Sequence, residues 1–117
     1  MSYLAKATDL YNKINGGQLL EAFDQYYADN IVMTEPRGTR EGKPACREYE
    51  VAFLGNIKEF HGGGVDAITA NEEDGVTMVE SWMDVTFKDD NRVRLEQVAV
   101  QKWEGDHIVH ERFYYEQ

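Results

Sequence analysis

The stretch Tyr27-Ala28-Asp29-Asn30-Ile31-Val32-Met33-Thr34-Glu35-Pro36-Arg37-Gly38 carries the reading of the fold. An apolar helical stripe runs into the turn formers Asp29-Asn30, and the strand-prone residues Ile31 to Thr34 follow. Pro36 has no backbone N–H and forbids regular pairing, so Glu35 is expected at the rim of an apolar layer. A carboxylate there suits acid–base work. The alternative is a solvated loop residue neutralised by Arg37 or Arg40.

Working outward, Leu4, Ala7, Tyr11 and Ile14 recur at spacings of three and four and predict a first helix, ended by Gly16-Gly17. A second helix is expected from Gln18 to Ala28, burying Leu19, Leu20, Phe23, Tyr26 and Tyr27. Pro44 sits where a first helical turn tolerates a missing N–H, and Cys46, Tyr49, Phe53 and Ile57 continue a third helix expected to stop near Phe60. From Gly62-Gly63-Gly64 onward the period becomes two. Turn signals at Asp74-Gly75, Asp89-Asp90-Asn91 and Glu104-Gly105-Asp106 then divide the remainder into four long antiparallel strands. Helices first and hairpin-linked strands last imply a single α+β domain over residues 1–117, with a curved, mostly antiparallel sheet wrapped around three N-terminal helices.

Composition bounds the function. With 117 residues, 42% hydrophobic and 12% aromatic, the chain suits one globular domain and not a disordered segment. No apolar run approaches the roughly 20 residues that cross a bilayer. The start, Met1-Ser2-Tyr3-Leu4-Ala5-Lys6, lacks a secretory layout and the single Cys46 cannot form an internal disulfide, so a cytoplasmic location is expected. The 22 acidic against 12 basic residues, net −10, argue against nucleic acid or a membrane surface as partner.

Alternation sorts the strand residues by face. Val79, Ser81, Met83, Val85 and Phe87 form an inward set, and Val93, Leu95, Gln97, Ala99, Gln101 and Trp103 form the next. In the last strand Val109, Glu111, Phe113 and Tyr115 share one face and Ile108, His110, Arg112 and Tyr114 the other, with the inward choice open. Outward, Met78 and Trp82 lie between Glu80 and Asp84, while Arg94, Lys102 and Arg112 occupy neighbouring strands. That pattern predicts a homodimer through the convex sheet face.

Three pieces of this chain together resemble one family. They are the Tyr-Ala-Asp-Asn segment leading to Glu35-Pro36, the third helix begun at Gly42, and the turn Trp103-Glu104-Gly105-Asp106-His107-Ile108 with Phe113-Tyr114-Tyr115. The chain is similar over nearly its whole length to the nuclear transport factor 2-like superfamily, also called SnoaL-like, and within it to the steroid delta-isomerase branch. The resemblance implies a cone-shaped fold whose open mouth leads to a hydrophobic pocket, and subunit pairing through the outer sheet face. It implies that Glu35, just before its proline, is the acid–base carboxylate. An ungapped count back from Tyr27 places Tyr11 at the isomerases' oxyanion tyrosine. The third isomerase residue, a protonated aspartic acid, falls on Ala99 and is missing here.

Removing a proton beside a carbonyl needs a base near the carbon and a donor near the oxygen that becomes negative. Glu35 and Tyr11 suit those roles; the alternative for Tyr11 is a core tyrosine whose hydroxyl finds a backbone partner. Gln97 and Gln101, either side of Ala99, are neutral donors for a substrate. Glu111 is a second inward carboxylate whose pKa burial would raise, unless a cation pairs with it. Met33, Tyr49, Phe53, Met83, Trp103, Phe113 and Tyr115 are expected to line a pocket, with plain packing as the alternative for each. Of the histidines only His61 is a pocket-mouth candidate. No His, Cys or carboxylate spacing suits a metal, and no phosphate loop or serine nucleophile motif is present, so no cofactor is expected. Two functions stay open. One is a cofactor-independent isomerase, cyclase or dehydratase acting on a small apolar carbonyl compound; the other is a non-catalytic ligand-binding or dimerisation module, favoured by the missing acid at Ala99.

Overall fold

The first helix is held at its start from two directions. Ser2 Oγ accepts from the Ala5 N–H at 3.0 Å, and Glu72, 68 and 69 residues away in sequence, accepts from Leu4 and Tyr3 at 2.9 and 2.8 Å. Three amides that the helix leaves unpaired are thereby satisfied, two of them by a carboxylate suited to the positive end of the helix dipole. In this computed structural model, which describes residues 1–116, the elements are α1 (Tyr3–Asn15), α2 (Leu19–Tyr26), β1 (Tyr27–Glu35), β2 (Gly38–Glu41), α3 (Lys43–Gly55), β3 (Ile57–Asn71), β4 (Val76–Phe87), β5 (Arg92–Glu104) and β6 (His107–Tyr114). The strands form one sheet in the order β2-β1-β6-β5-β4-β3, antiparallel throughout except for the β1–β6 pair. The helices cover its concave face, and Leu10, Ala22, Phe23, Ile31, Val79 and Ile108 form the centre of the shared core. This is the α+β architecture expected from the sequence.

Four local expectations are corrected. The second helix stops at Tyr26, not Ala28, because Tyr27 turns extended at φ −95°, ψ 132° to pair with Ile108. Strand β1 therefore begins before Asp29-Asn30, not after it. The third helix ends at Gly55, not near Phe60, because Ile57 pairs with Phe87 and the Asn56 carbonyl accepts from the Lys88 N–H at 2.9 Å. In β6, Ile108 is buried on the same side as Glu111, where strict alternation separates them. A register shift between Lys102 and Trp103 leaves Val109 as the extra residue and resets the parity.

The triple glycine is the fourth. Expected to open the alternating segment, it lies inside β3, which already begins at Ile57. A Cβ on Gly63 would come within 2.5 Å of Asn15 Oδ1 at the end of α1, and one on Gly64 within 2.7 Å of Trp82 Nε1. Glycine thus lets a helix end approach from one side and the Trp82 indole lie flat on the other, with Arg94 stacked 4.2 Å over the indole ring. Among the described residues no helix is long and apolar enough to cross a membrane.

Gly64→Ala forces the rigid indole aside and should lower stability by about 1–3 kcal/mol. In a Trp82→Leu background the same substitution should cost much less. Urea denaturation of the four proteins measures the difference.

Candidate functional site

A cavity of about 830 Å³ lies between the helices and the concave sheet. Tyr11 reaches it from α1, Tyr49, Glu50 and Phe53 from α3, and Ser81, Met83, Gln97, Glu111 and Phe113 from the sheet. Its floor is polar. Glu111, 1% exposed, takes Tyr27 Oη on Oε1 at 2.5 Å and Gln101 Nε2 on Oε2 at 2.8 Å. The same Gln101 nitrogen lies 3.4 Å from the Tyr11 hydroxyl oxygen, which accepts from it.

The direction of these bonds is fixed from below. Trp103 Nε1 can only donate, and it donates to Thr77 Oγ1 at 2.9 Å. The Thr77 hydrogen is then free for Gln101 Oε1 at 2.7 Å, which points the amide nitrogen at Glu111 and Tyr11. Every link in this chain is buried.

No ion pair among the described residues involves Glu111. Burial pushes its pKa up to about 7, against the Tyr27 and Gln101 hydrogen bonds and the Arg40 charge. Glu50 is also pushed up to about 7, first by burial and then by the Glu111 charge, with Arg40 opposing and Glu35 adding. No described side chain hydrogen-bonds the Glu50 carboxyl. Burial and the Glu111 charge hold the Tyr11 phenol well above its ordinary value, so it stays protonated and serves as a donor.

The other end of the cavity is organised by charge. Glu35 closes β1, and the two residues Pro36 and Arg37 form the tip of the β1–β2 hairpin, since pairing resumes as Glu35 opposite Gly38. The Glu35 side chain is 6% exposed, with Arg40 Nη2 2.8 Å from Oε2. Tyr115 Oη donates to Oε1 at 2.5 Å, and burial with the Glu35 contact pushes that phenol up to about 12. Arg40 stacks 3.6 Å over the Tyr49 ring. Glu35 is thus paired with Arg40, as the alternative reading had it, but inside the protein and not in a solvated loop.

The structure brings Tyr11, Glu35 and Glu111 to one cavity, together with Tyr49, Phe53, Met83, Gln97, Phe113 and Tyr115. Four expected pocket residues lie elsewhere. Met33 is sealed in the core beside Glu111, its partner in the β1–β6 register. Trp103 packs under α1 and α2 against Tyr3 and Tyr26. Gln101 sits beneath the floor and holds Tyr11 and Glu111 in place of touching a ligand. His61 faces the convex side, its Nε2 2.7 Å from Thr86 Oγ1. Ala99 is fully buried between Val79 and Phe113 on the inner face and supplies no donor. Sequence reasoning missed Glu50 as a lining residue, although it falls on the stripe with Cys46 and Phe53 at spacings of four and three. Among the described residues no three His, Cys, Asp or Glu side chains group as a metal site.

A cone-shaped sheet closed by three helices over one mixed polar and apolar cavity defines a small-ligand-binding class of fold. The chain belongs to the SnoaL-like domain family, within the nuclear transport factor 2-like superfamily, which matches it over residues 7–111. A proposed SnoaL-like polyketide cyclase from Mesorhizobium loti, also described as a carbohydrate phosphatase, is 29% identical with a TM-score of 0.84, over 98% of this chain and 100% of that one. A proposed isomerase from Bacillus subtilis is 16% identical at TM-score 0.83, over 99% and 90%. A proposed polyketide cyclase from Pseudomonas putida is 12% identical at 0.82, over 99% and 92%. The last two establish the fold alone. No curated protein matches the chain.

Thr77→Val keeps the shape but strands Trp103 Nε1 and Gln101 Oε1, and should cost about 2–4 kcal/mol by chemical denaturation. Glu111 gives a separate expectation. Its folded pKa, about 7, lies above the 4.5 of a free glutamate, so between those values the folded state holds the extra proton. Stability must therefore fall as pH rises through that window, by roughly 1–3 kcal/mol, and stay lower above it. Glu111→Gln should make the fall of melting temperature between pH 5 and 8 shallower, with Glu50, whose pKa burial also raises, accounting for what remains.

Proposed function

We propose that this protein binds a small, largely apolar carbonyl compound and moves a proton on it without a cofactor, as an isomerase, cyclase or dehydratase does. The observation that carries the proposal is the uncompensated Glu111 carboxyl at the floor of the cavity, next to a phenol that stays protonated. A carboxyl with a pKa near 7 is half ionised at neutral pH and can both take and return a proton. Tyr11 would donate to the substrate oxygen as charge develops there.

Glu50 is the second proton carrier in this reading, because it lines the cavity with no partner on its carboxyl. The resemblance assigned the shuttle to Glu35. With Arg40 at one oxygen and Tyr115 at the other, Glu35 is better suited to orient those two groups. The 29%-identical Mesorhizobium loti protein described as a polyketide cyclase supports this class of chemistry. Pairing through the convex face, where Met78 and Tyr114 are exposed, belongs to the same proposal.

A second reading, a binding module without chemistry, is favoured by the missing acid at Ala99. Exchange of the α-hydrogens of cyclic ketones such as 2-tetralone in D₂O, followed by proton NMR, separates the two. An enzyme should exceed the protein-free rate and lose about 10²- to 10⁴-fold on Glu111→Gln, with a smaller loss for Glu35→Gln. No acceleration by the wild-type protein would leave the binding module as the function.

A further inference from the structure

The arginine at the Glu35 end of the cavity does not use its donors as the others do. Arg47 grips Asp24 side-on, Nε and Nη2 each on one carboxylate oxygen at 2.8 and 3.0 Å, and Arg92 grips Asp84 in the same way at 3.1 and 2.9 Å. On Arg40 the same two nitrogens are buried, and neither has an acceptor in hydrogen-bond geometry among the described residues. Nη2 makes only the ion-pair contact with Glu35 Oε2 at 2.8 Å. Glu35 cannot turn both oxygens to that edge while Tyr115 Oη holds Oε1. Nor can the guanidinium leave without breaking its stack on Tyr49.

Arg37, two residues beyond Glu35, lines the cavity as well and has no ion-pair partner among the described residues. Two guanidiniums thus line this end of the cavity, and the ion-paired carboxylate there, Glu35, is already held by Arg40 and Tyr115, with Glu50 and Glu116 also on the cavity wall. A buried cation with unfilled donors carries a desolvation cost that an added acceptor would relieve. A guanidinium fork fits the two oxygens of a carboxylate better than it fits a single carbonyl. The chain as a whole carries −10, so any preference for an anion must come from these local groups and not from the overall field.

We propose that the Arg40 and Arg37 end of the cavity is a subsite for an anionic group of the ligand, and that the natural substrate is an apolar carboxylic acid and not a neutral ketone. The carboxylate sits against the guanidiniums, and the apolar body lies along Phe53, Met83, Phe87 and Leu95. This rests on the reading of the cavity as a small-molecule site and narrows its substrate class.

The test is isothermal titration calorimetry at pH 7.5 with 2-naphthoate and with 2-naphthamide, which share a body and differ in charge. Wild-type protein should bind the carboxylate at least tenfold more tightly. Arg40→Gln should remove most of that advantage while changing the amide's affinity less than twofold. Arg40→Lys, which keeps the charge without the fork, should restore only part of it; circular dichroism of each variant establishes that it is folded. Equal affinity for the two probes, or a carboxylate preference that survives Arg37→Gln/Arg40→Gln together, overturns the anion subsite and leaves the cavity reading standing. Binding of neither probe overturns both.

Discussion

The structure is organised around a carboxylate that has been taken out of water without a counter-charge. An ionised glutamate at 1% exposure must either bind a proton or collect donors, and Glu111 does some of each. The donors account for features that look unrelated. Helix α2 stops at Tyr26 and so delivers the Tyr27 hydroxyl to Oε1. The extra residue Val109 restores the parity that puts Glu111 and Ile108 on the same inner face. Gln101, directly opposite Glu111 in the β5–β6 register, supplies the second donor and is itself pinned by Thr77 and Trp103. Removing the carboxylate would leave each of these without a purpose in packing, because apolar side chains fill a sheet interior at lower cost.

The cavity separates its acids by surroundings. Glu35 has a guanidinium against one oxygen and a phenol against the other. Glu111 and Glu50 are both raised by burial, and Glu50 also by the Glu111 charge, which favours a proton. A site with a paired carboxyl at one end and carboxyls of raised pKa at the other can orient a ligand at the first while exchanging protons at the second. Chemically alike residues acquire different tasks in this way, and sequence alone gives them no distinguishing mark.

The extent of sequence legibility follows from how local each signal is. The α1 stripe, the Pro44 helix start and the four strands after it depend on near neighbours and were readable as period and turn chemistry. Tyr27 and Ile57 were misplaced because each is decided by a partner far along the chain, Ile108 for Tyr27 and Phe87 for Ile57, and Ile108 because a bulge beside Trp103 breaks the alternation. The triple glycine reads as a break until Asn15 and Trp82 are known to press on it. At the site, Tyr11 and Glu111 stood out as polar groups on apolar faces. Met33 and Trp103 were drawn into the pocket because periodicity tells inward from outward but not cavity from core. Glu50 was passed over since a helical glutamate defaults to solvent.

The alanine at position 99 then has a physical consequence beyond a lost group. With no acid there, the inner face near Tyr11 offers Gln97 and Ser81 on the cavity wall, and Gln101 below it. Gln101 cannot replace the acid by reaching into the cavity, because Thr77 fixes its carbonyl and so commits its nitrogen to Glu111 and Tyr11. What it does instead is donate into the Tyr11 oxygen, leaving the phenol's own hydrogen uncommitted by that bond. A hydroxyl that accepts one hydrogen bond is polarised into a better donor for the next, and the gain is larger where little water competes. The buried chain from Trp103 to Tyr11 therefore strengthens the Tyr11 donor, which is the opposite of what a floor built only for packing requires.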